Sequence, residues 1–432
     1  MKKQLTAILI LIFTLIALEA PAQQADTTFT VGVEMRPRFE LRNGFKRPIE
    51  KSEDPAAFVE QRSRLNLGYE TGKYGVRLSV QDVRVWGNLN QIFKEDDALT
   101  NVFEAWVSYN LHKQWSLKFG RQEIAYDNDR FLGTLDWAQQ GRSHDALLVR
   151  FLKPESNLTA HAGVTFNQSV DFEPTRLTDT FFELEGNNKT MQYMWINRTM
   201  DKWGYSFLFH NDGRQVQADS TVSFRQTTGL NGFYSFGDFT YRGEFFYQFG
   251  EDPLQADVSA FLFNSEITYF RGKSELTAGI DWLSGTDIDS DKNKSFNPLY
   301  GTNHKFYGYM DFFNVGNPFN QPGNPYDVGL INFYQKAKWN FTEKMAFDIN
   351  LHQFLSDTEV FNVAGNSMSR YMGTEIDLLL TFRPEQAATL FIGYSQMIQT
   401  DTMERVKRNR NASSFNGWAW VMFRLNPQIL KL

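Results

Sequence analysis

The chain has 432 residues, a formal net charge of −6 and no cysteine. The missing thiol excludes a disulfide framework, thiolate metal ligands and a cysteine nucleophile, and the acidic balance argues against a nucleic-acid partner. Aromatic residues make up 16% of the chain, yet mean hydropathy is −0.43 and 22% of residues are charged, which suits alternating strands better than a layered soluble core.

Residues 1–22 read as a secretory signal peptide. Lys2 and Lys3 precede an apolar run over 5–18, and Ala20-Pro21-Ala22 offers a small-residue cleavage site. That run is shorter than the ~20 residues of a spanning helix. Residues 23–432 then read as one domain. The first strand is expected over 29–41, where Phe29, Val31, Val33, Met35, Phe39 and Leu41 alternate with Thr30, Glu34, Arg36, Arg38 and Glu40. Pro37 falls on its apolar phase and predicts a bulge or bend. Runs 58–70 and 74–86 alternate across Thr71-Gly72-Lys73, which predicts a hairpin. Further pairs are 103–111 with 115–122, 146–152 with 158–166, 191–198 with 203–210 and 225–234 with 239–249. They continue as 260–270 with 274–283, 331–341 with 345–355 and 373–382 with 388–397, and a last run covers 415–425.

Short turns alternate with long loops between these eighteen runs. The pattern predicts an all-β fold, an 18-stranded antiparallel transmembrane β-barrel with short periplasmic turns and long extracellular loops. Its place is the Gram-negative outer membrane, in contact with lipid. A soluble β-sandwich also alternates. Here, however, Trp115, Trp203, Trp282, Trp339 and Trp418 lie near strand ends on the apolar phase, as interfacial girdles do. Pro427 is expected to end the last strand and leave a short tail.

Charge sets the inward phase. An Arg or Lys on the lipid face at the midplane costs about 2–4 kcal/mol, so Arg36, Arg38, Arg62, Arg64 and Arg77 are assigned to the lumen. Arg150 falls on a polar phase as well. Arg84 follows a phase slip at Gln81-Asp82, where a bulge would turn it inward. Arg121 falls on the apolar phase and is expected at a strand end or beyond a bulge. The planar guanidinium binds carboxylates through two bonds and stays charged, so a stripe of arginines could hand an anion along one wall. Glu34, Glu40, Glu60, Glu104 and Glu244 share the inward phase, and Arg–Glu ladders could equally brace the barrel.

Catalysis finds no support. The six histidines are scattered without HExxH, and no GxSxG occurs. Ser143-His144-Asp145 would point to alternate faces of a strand, which prevents a triad. Asp287, Asp289 and Asp291 begin like a calcium loop, but Lys292 and Pro298 stand where that loop needs Gly and Glu. No enzyme activity, metal or cofactor is expected.

Several clusters resemble the alginate-export family of outer-membrane β-barrel porins. They are Arg62-Ser63-Arg64-Leu65-Asn66-Leu67-Gly68-Tyr69, Gln81-Asp82-Val83-Arg84-Val85-Trp86, Gly120-Arg121-Gln122, Leu132-Gly133 with Asp136-Trp137, and Gly141-Arg142 with Asp145. The stretch from Asn297 to Asp311, which contains His304, belongs with them. The resemblance spans nearly the whole chain after the leader. It implies a lumen that passes an anionic polyuronate or related small anionic solutes by passive diffusion. It adds Arg142 to the anion-binding candidates. It also implies that the loop over 293–319 covers or enters the lumen, with His304, Lys305, Tyr307 and Asp311 facing the pore; a solvated extracellular loop is the alternative. A general porin and a loop-closed, surface-binding barrel remain as alternatives. Nothing in the sequence marks a trimer seam, so a monomer is expected.

Overall fold

The two phases of the strands are inverted relative to a soluble protein. One phase exposes large apolar side chains, Phe119 at 68% and Leu230 at 58%, while the other buries Glu40, His210, Thr227, Gln248, Asn264 and Asp281. Apolar outside and polar inside is what a hydrocarbon surround requires, and it removes the sandwich alternative. The computed structural model describes residues 27–88, 100–168, 187–216, 221–314, 316–409 and 411–432. The expected signal peptide lies outside them.

The strands run in chain order as β1 (Thr28–Asn43), β2 (Ala56–Glu70), β3 (Tyr74–Val85), β4 (Thr100–Asn110), β5 (Trp115–Gln122) and β6 (His144–Lys153). Next come β7 (Leu158–Phe166), β8 (Thr190–Thr199), β9 (Trp203–Gln215), β10 (Val222–Phe236), β11 (Phe239–Glu251) and β12 (Asp257–Arg271). The remainder are β13 (Ser274–Leu283), β14 (Leu330–Asn340), β15 (Met345–Leu355), β16 (Tyr371–Glu385), β17 (Ala388–Gln399), β18 (Asn416–Leu425) and β19 (Gln428–Lys431). From β1 to β18 each strand pairs antiparallel with its chain neighbour, and β1 closes the cylinder against β18 and β19. β18 and β19 are two parts of one stave, so the barrel is 18-stranded. A short helix, α1 (Asp401–Val406), lies in the last long connection. Aromatic rings stack around the short-turn rim, among them Trp203 on Tyr205 at 5.9 Å and Phe239 on Tyr269 at 4.8 Å, as a membrane-interface belt does. Trp418 departs from the expected girdle. It points inward and is fully buried.

Three local expectations change. Pro37 makes no bulge against β2, where it faces Gln61 in unbroken register. It interrupts the other side instead: the ladder to β18 skips from Met35 to Arg38, because proline has no N–H to give. The chain after Pro427 is not a free tail. It pairs with β1 after a register shift at Val31/Gly32, and Phe29 and Leu432 exchange both backbone bonds at 3.0 Å. The slip expected at Gln81-Asp82 is absent from the β2–β3 ladder. The irregularity falls between β3 and β4, where Ser79 faces Glu104 and Val80 faces Val102, leaving Phe103 as the extra residue.

The core is made by loops. The connections 123–143, 284–329 and 400–415 fold into the cylinder. Their Phe131, Leu132, Tyr307, Met310, Phe312 and Met403 pack against wall residues such as Leu208, Phe246, Phe354 and Trp418.

Candidate permeation site

The wall made by β1 and β2 puts like charges face to face. Arg36 stands directly opposite Arg62, an arrangement that repels unless something intervenes. The connection 123–143 intervenes. Asp136 reaches Arg62 Nη2 at 2.8 Å and Arg36 Nη1 at 3.4 Å, and Glu34 accepts from Arg62 at 2.7 Å. The remaining donors hold loop backbone. Arg36 donates to the carbonyls of Asp136 (2.7 Å) and Ala138 (3.0 Å), and Arg38 donates to that of Trp137 (2.9 Å). Arg36 Nε also donates to Gln139 Oε1 at 3.0 Å. A guanidinium with five donors can satisfy irregular backbone that has no ladder of its own. Burial alone would raise the Asp136 carboxyl, but the facing Arg36 and Arg62 outweigh it and hold it below the usual range. Arg62 is 0% exposed. The structure therefore brings Arg36, Arg38 and Arg62 together as expected, but their bonds go to a docked loop and to the wall carboxylates Glu34, Glu40 and Glu60.

The other candidates divide by position. Arg64 donates to Gln81 Oε1 at 2.7 Å and covers the Phe103 ring at 3.7 Å. Arg77 and Arg150 face inward lower on the wall. Arg77 pairs with Glu104 at 3.2 Å, and Arg150 donates to Ser116 at 3.0 Å. Arg142 ties the two large inward loops together by donating to the carbonyls of Gly133 and Tyr300, and burial lowers its pKa to about 10. Two candidates lie outside. Arg84 faces Gln61 on the outward phase and pairs with Asp82 at 2.6 Å, because no bulge turns it. Arg121, next to last in β5, also points outward and forms two bonds to Asp145, at 3.0 and 2.7 Å. Asp145 thus turns away from the buried His144, and no triad forms.

The second loop is a packed strut. His304 stacks on Trp137 of the first loop at 4.2 Å and 7°, and on Tyr309 at 5.1 Å. Its Nδ1 lies 3.0 Å from Asp311 Oδ1. Tyr307 and Asp311, expected to face the pore, are buried inside this packing. Only Lys305 keeps a substantially open side chain, and it lies 3.6 Å from Asp129. From the wall, Glu375 accepts the Met310 N–H at 2.7 Å. Gly308, at φ +84°, lets the backbone pass there, since a Cβ would stand 2.6 Å from the Glu375 carboxyl carbon. In the third connection, Lys407 donates to the carbonyls of Phe312, Asn317 (3.3 Å) and Pro318 (3.2 Å). Burial lowers its pKa to about 7.

Four arginines of this region are not among the candidates read from the sequence. Arg130, in the first loop, is clamped between Glu244 at 2.7 Å and Asp281 at 2.9 Å. Arg214 donates to Asp212 at 2.9 Å and to the Tyr300 hydroxyl at 3.2 Å. Arg225 and Arg424 line the two spaces that the loops leave. The outer space, on the long-loop side, measures about 450 Å³ and is bounded by Arg142, Arg214, Arg225, Asp212 and Glu251. The inner space, toward the short turns, measures about 340 Å³ and is bounded by Arg36, Lys305, Arg424, Asp129 and Asp136.

The family described as alginate export matches residues 27–415. Similar solved structures are three barrels of Pseudomonas aeruginosa. OccK9 (OpdG) aligns at TM-score 0.59 and 13% identity, over 93% of this chain and 98% of that one. OpdK with vanillate aligns at 0.57 and 10%, over 94% and 99%. OpdQ aligns at 0.56 and 12%, over 93% and 98%. At these identities the likeness is one of fold. No curated protein matches.

Proposed function

The chain belongs to the alginate-export family and is a channel of the Gram-negative outer membrane, and we propose that it passes small anionic solutes by passive diffusion, sugar acids in particular. One observation carries this proposal. Three cations and two carboxylates line each lumenal space: Arg142, Arg214 and Arg225 against Asp212 and Glu251, then Arg36, Lys305 and Arg424 against Asp129 and Asp136. An anion entering from either side meets a net positive lining, and two weak sites in series allow it to leave again. OpdK, of the same fold, is described with vanillate, itself a carboxylate. The two large loops meet at the Trp137–His304 stack and at the bond from Arg142 to the Tyr300 carbonyl. Monomers and short oligomers therefore suit this lumen better than a long polyuronate.

Planar-bilayer reversal potentials in a KCl gradient test the proposal. Anion preference is expected, and cation preference would sink it. A reversal potential at zero would leave a general porin. Absent conductance would favour the loop-closed, surface-binding barrel.

A further inference from the structure

Arg225 is the fourth residue of β10, near the long-loop rim, and faces the lumen beside Asp212. It is 7% exposed. Among the described residues its guanidinium has no hydrogen bond and no ion pair, and its Nε is fully enclosed without a partner. A buried charge in that state is costly unless something completes it. The carboxylates whose field reaches it are Asp252 and Asp212, and both are committed elsewhere. Asp252 accepts from the N–H groups of Leu254 (2.9 Å) and Ala256 (3.1 Å) and from Asn293 (2.8 Å). Asp212 accepts from the Tyr300 hydroxyl at 2.5 Å and from Arg214. A second unsatisfied group borders the same cavity: His144 Nε2 is buried without a partner.

We propose that Arg225 is the carboxylate-binding residue of an outer subsite, which takes one hydroxylated monocarboxylate the size of a single sugar acid. Arg225 offers its free fork to the carboxylate. Arg142 and Arg214 strengthen the positive field. His144 Nε2, Asn297 and the Tyr300 hydroxyl border the cavity where the ligand's hydroxyls would lie. The volume of about 450 Å³ falls in the range of small-molecule sites. This subsite rests on the anion-channel function, of which it would be the first station from outside.

The test uses the full chain in detergent micelles and saturation-transfer NMR. The probe is sodium D-glucuronate, with D-glucose as the neutral control and inorganic phosphate as competitor. The native protein is expected to bind glucuronate and not glucose. Arg225→Gln should weaken binding about ten-fold or more, as loss of a charge-assisted pair does. Arg225→Lys, which keeps the charge and loses the fork, should fall between. Heat-modifiable gel migration reports folding, and if the Gln variant does not fold the Lys variant decides. Glucuronate binding unchanged in the folded variant overturns the subsite, as does equal binding of glucose. Displacement by an equal concentration of phosphate would overturn its preference for a sugar acid. Bilayer selectivity separates the two levels. Native anion preference with unaffected glucuronate binding removes the subsite alone, whereas native cation preference removes the channel function proposed above.

Discussion

The arginines of β1 and β2 and the arginine of β10 share charge, inward phase and burial, yet their circumstances are opposite. Arg36 and Arg62 are surrounded by Asp136, Glu34, Gln139 and loop carbonyls, while Arg225 has no such bond among the described residues. The first group holds architecture and the second is open to a visitor. Inward placement is therefore a poor guide to availability. What distinguishes the two regions, among the described residues, is whether the loop beside them bonds to the arginine or leaves a space next to it. The connection 123–143 lands on β1 and β2, whereas the rim of β10 borders a cavity.

Removing a guanidinium from the crowded region should have the largest effect. Arg62→Ala leaves Glu34 and Asp136 short of a partner at a fully buried position, and breaking such a pair costs about 3–5 kcal/mol. The thermal midpoint of gel migration should fall. Conductance and current noise should rise as the first loop loses its anchor. A variant of native stability that simply loses anion preference would show that the wall meets solute after all, and the contrast with Arg225 would collapse.

A smaller effect concerns Glu123 at the start of that loop. Burial, and Glu104 nearby, push its carboxyl up to about 7. Its charge is thus absent below that pH and present above it. As pH rises through about 7 the lumen gains a negative charge, so anion preference should decline; Glu123→Gln should flatten this part of the profile. The linked stability runs the same way. The folded state holds this proton more tightly than the unfolded one, so its stabilising contribution is present below the unfolded value and is lost as pH rises through about 7. A steeper profile in the Gln variant would exclude Glu123 as the titrating group.

The smallest effect is expected at the two outward arginines. Arg121→Gln and Arg84→Gln each remove one half-exposed ion pair, which contributes about 0–1 kcal/mol. Selectivity should stay native in both. A change there would mean that the outer rim takes part in solute entry.

Strand number, order and facing were legible because alternation is local and the lipid enforces it on every stave. Arg36, Arg38, Arg62 and Arg64 could be aimed correctly on that basis alone. Arg84 could not. Polar residues at Asp82 and Arg84 imitate a slip of register, but near a strand end the outward face has left the hydrocarbon and tolerates charge. The actual bulge, at Phe103, is one strand away. Tyr307 and Asp311 were hidden for another reason. Entry of the second loop into the barrel follows from the family resemblance, but which of its side chains pack depends on Trp137, Glu375 and Lys407, brought together from distant parts of the chain. Arg225 sat on a readable phase. That no described residue bonds to it is a property of three dimensions only.

The missing rungs beside Pro37 mark a line along the cylinder. Where β1 meets β18, the ladder is interrupted for two residues, and below that point it depends on the offset segment β19. The neighbouring junctions β1–β2 and β2–β3 are continuous and β3–β4 carries a one-residue offset, while β16–β17 is interrupted beside Pro384 but pairs again directly at Glu385. A tube tears along its most perforated seam, and among the described strands only β1 both skips rungs and changes partner segment. Under mechanical or thermal stress this barrel should part first between its first and last staves, and the same seam is the one that must be fastened last when the barrel forms.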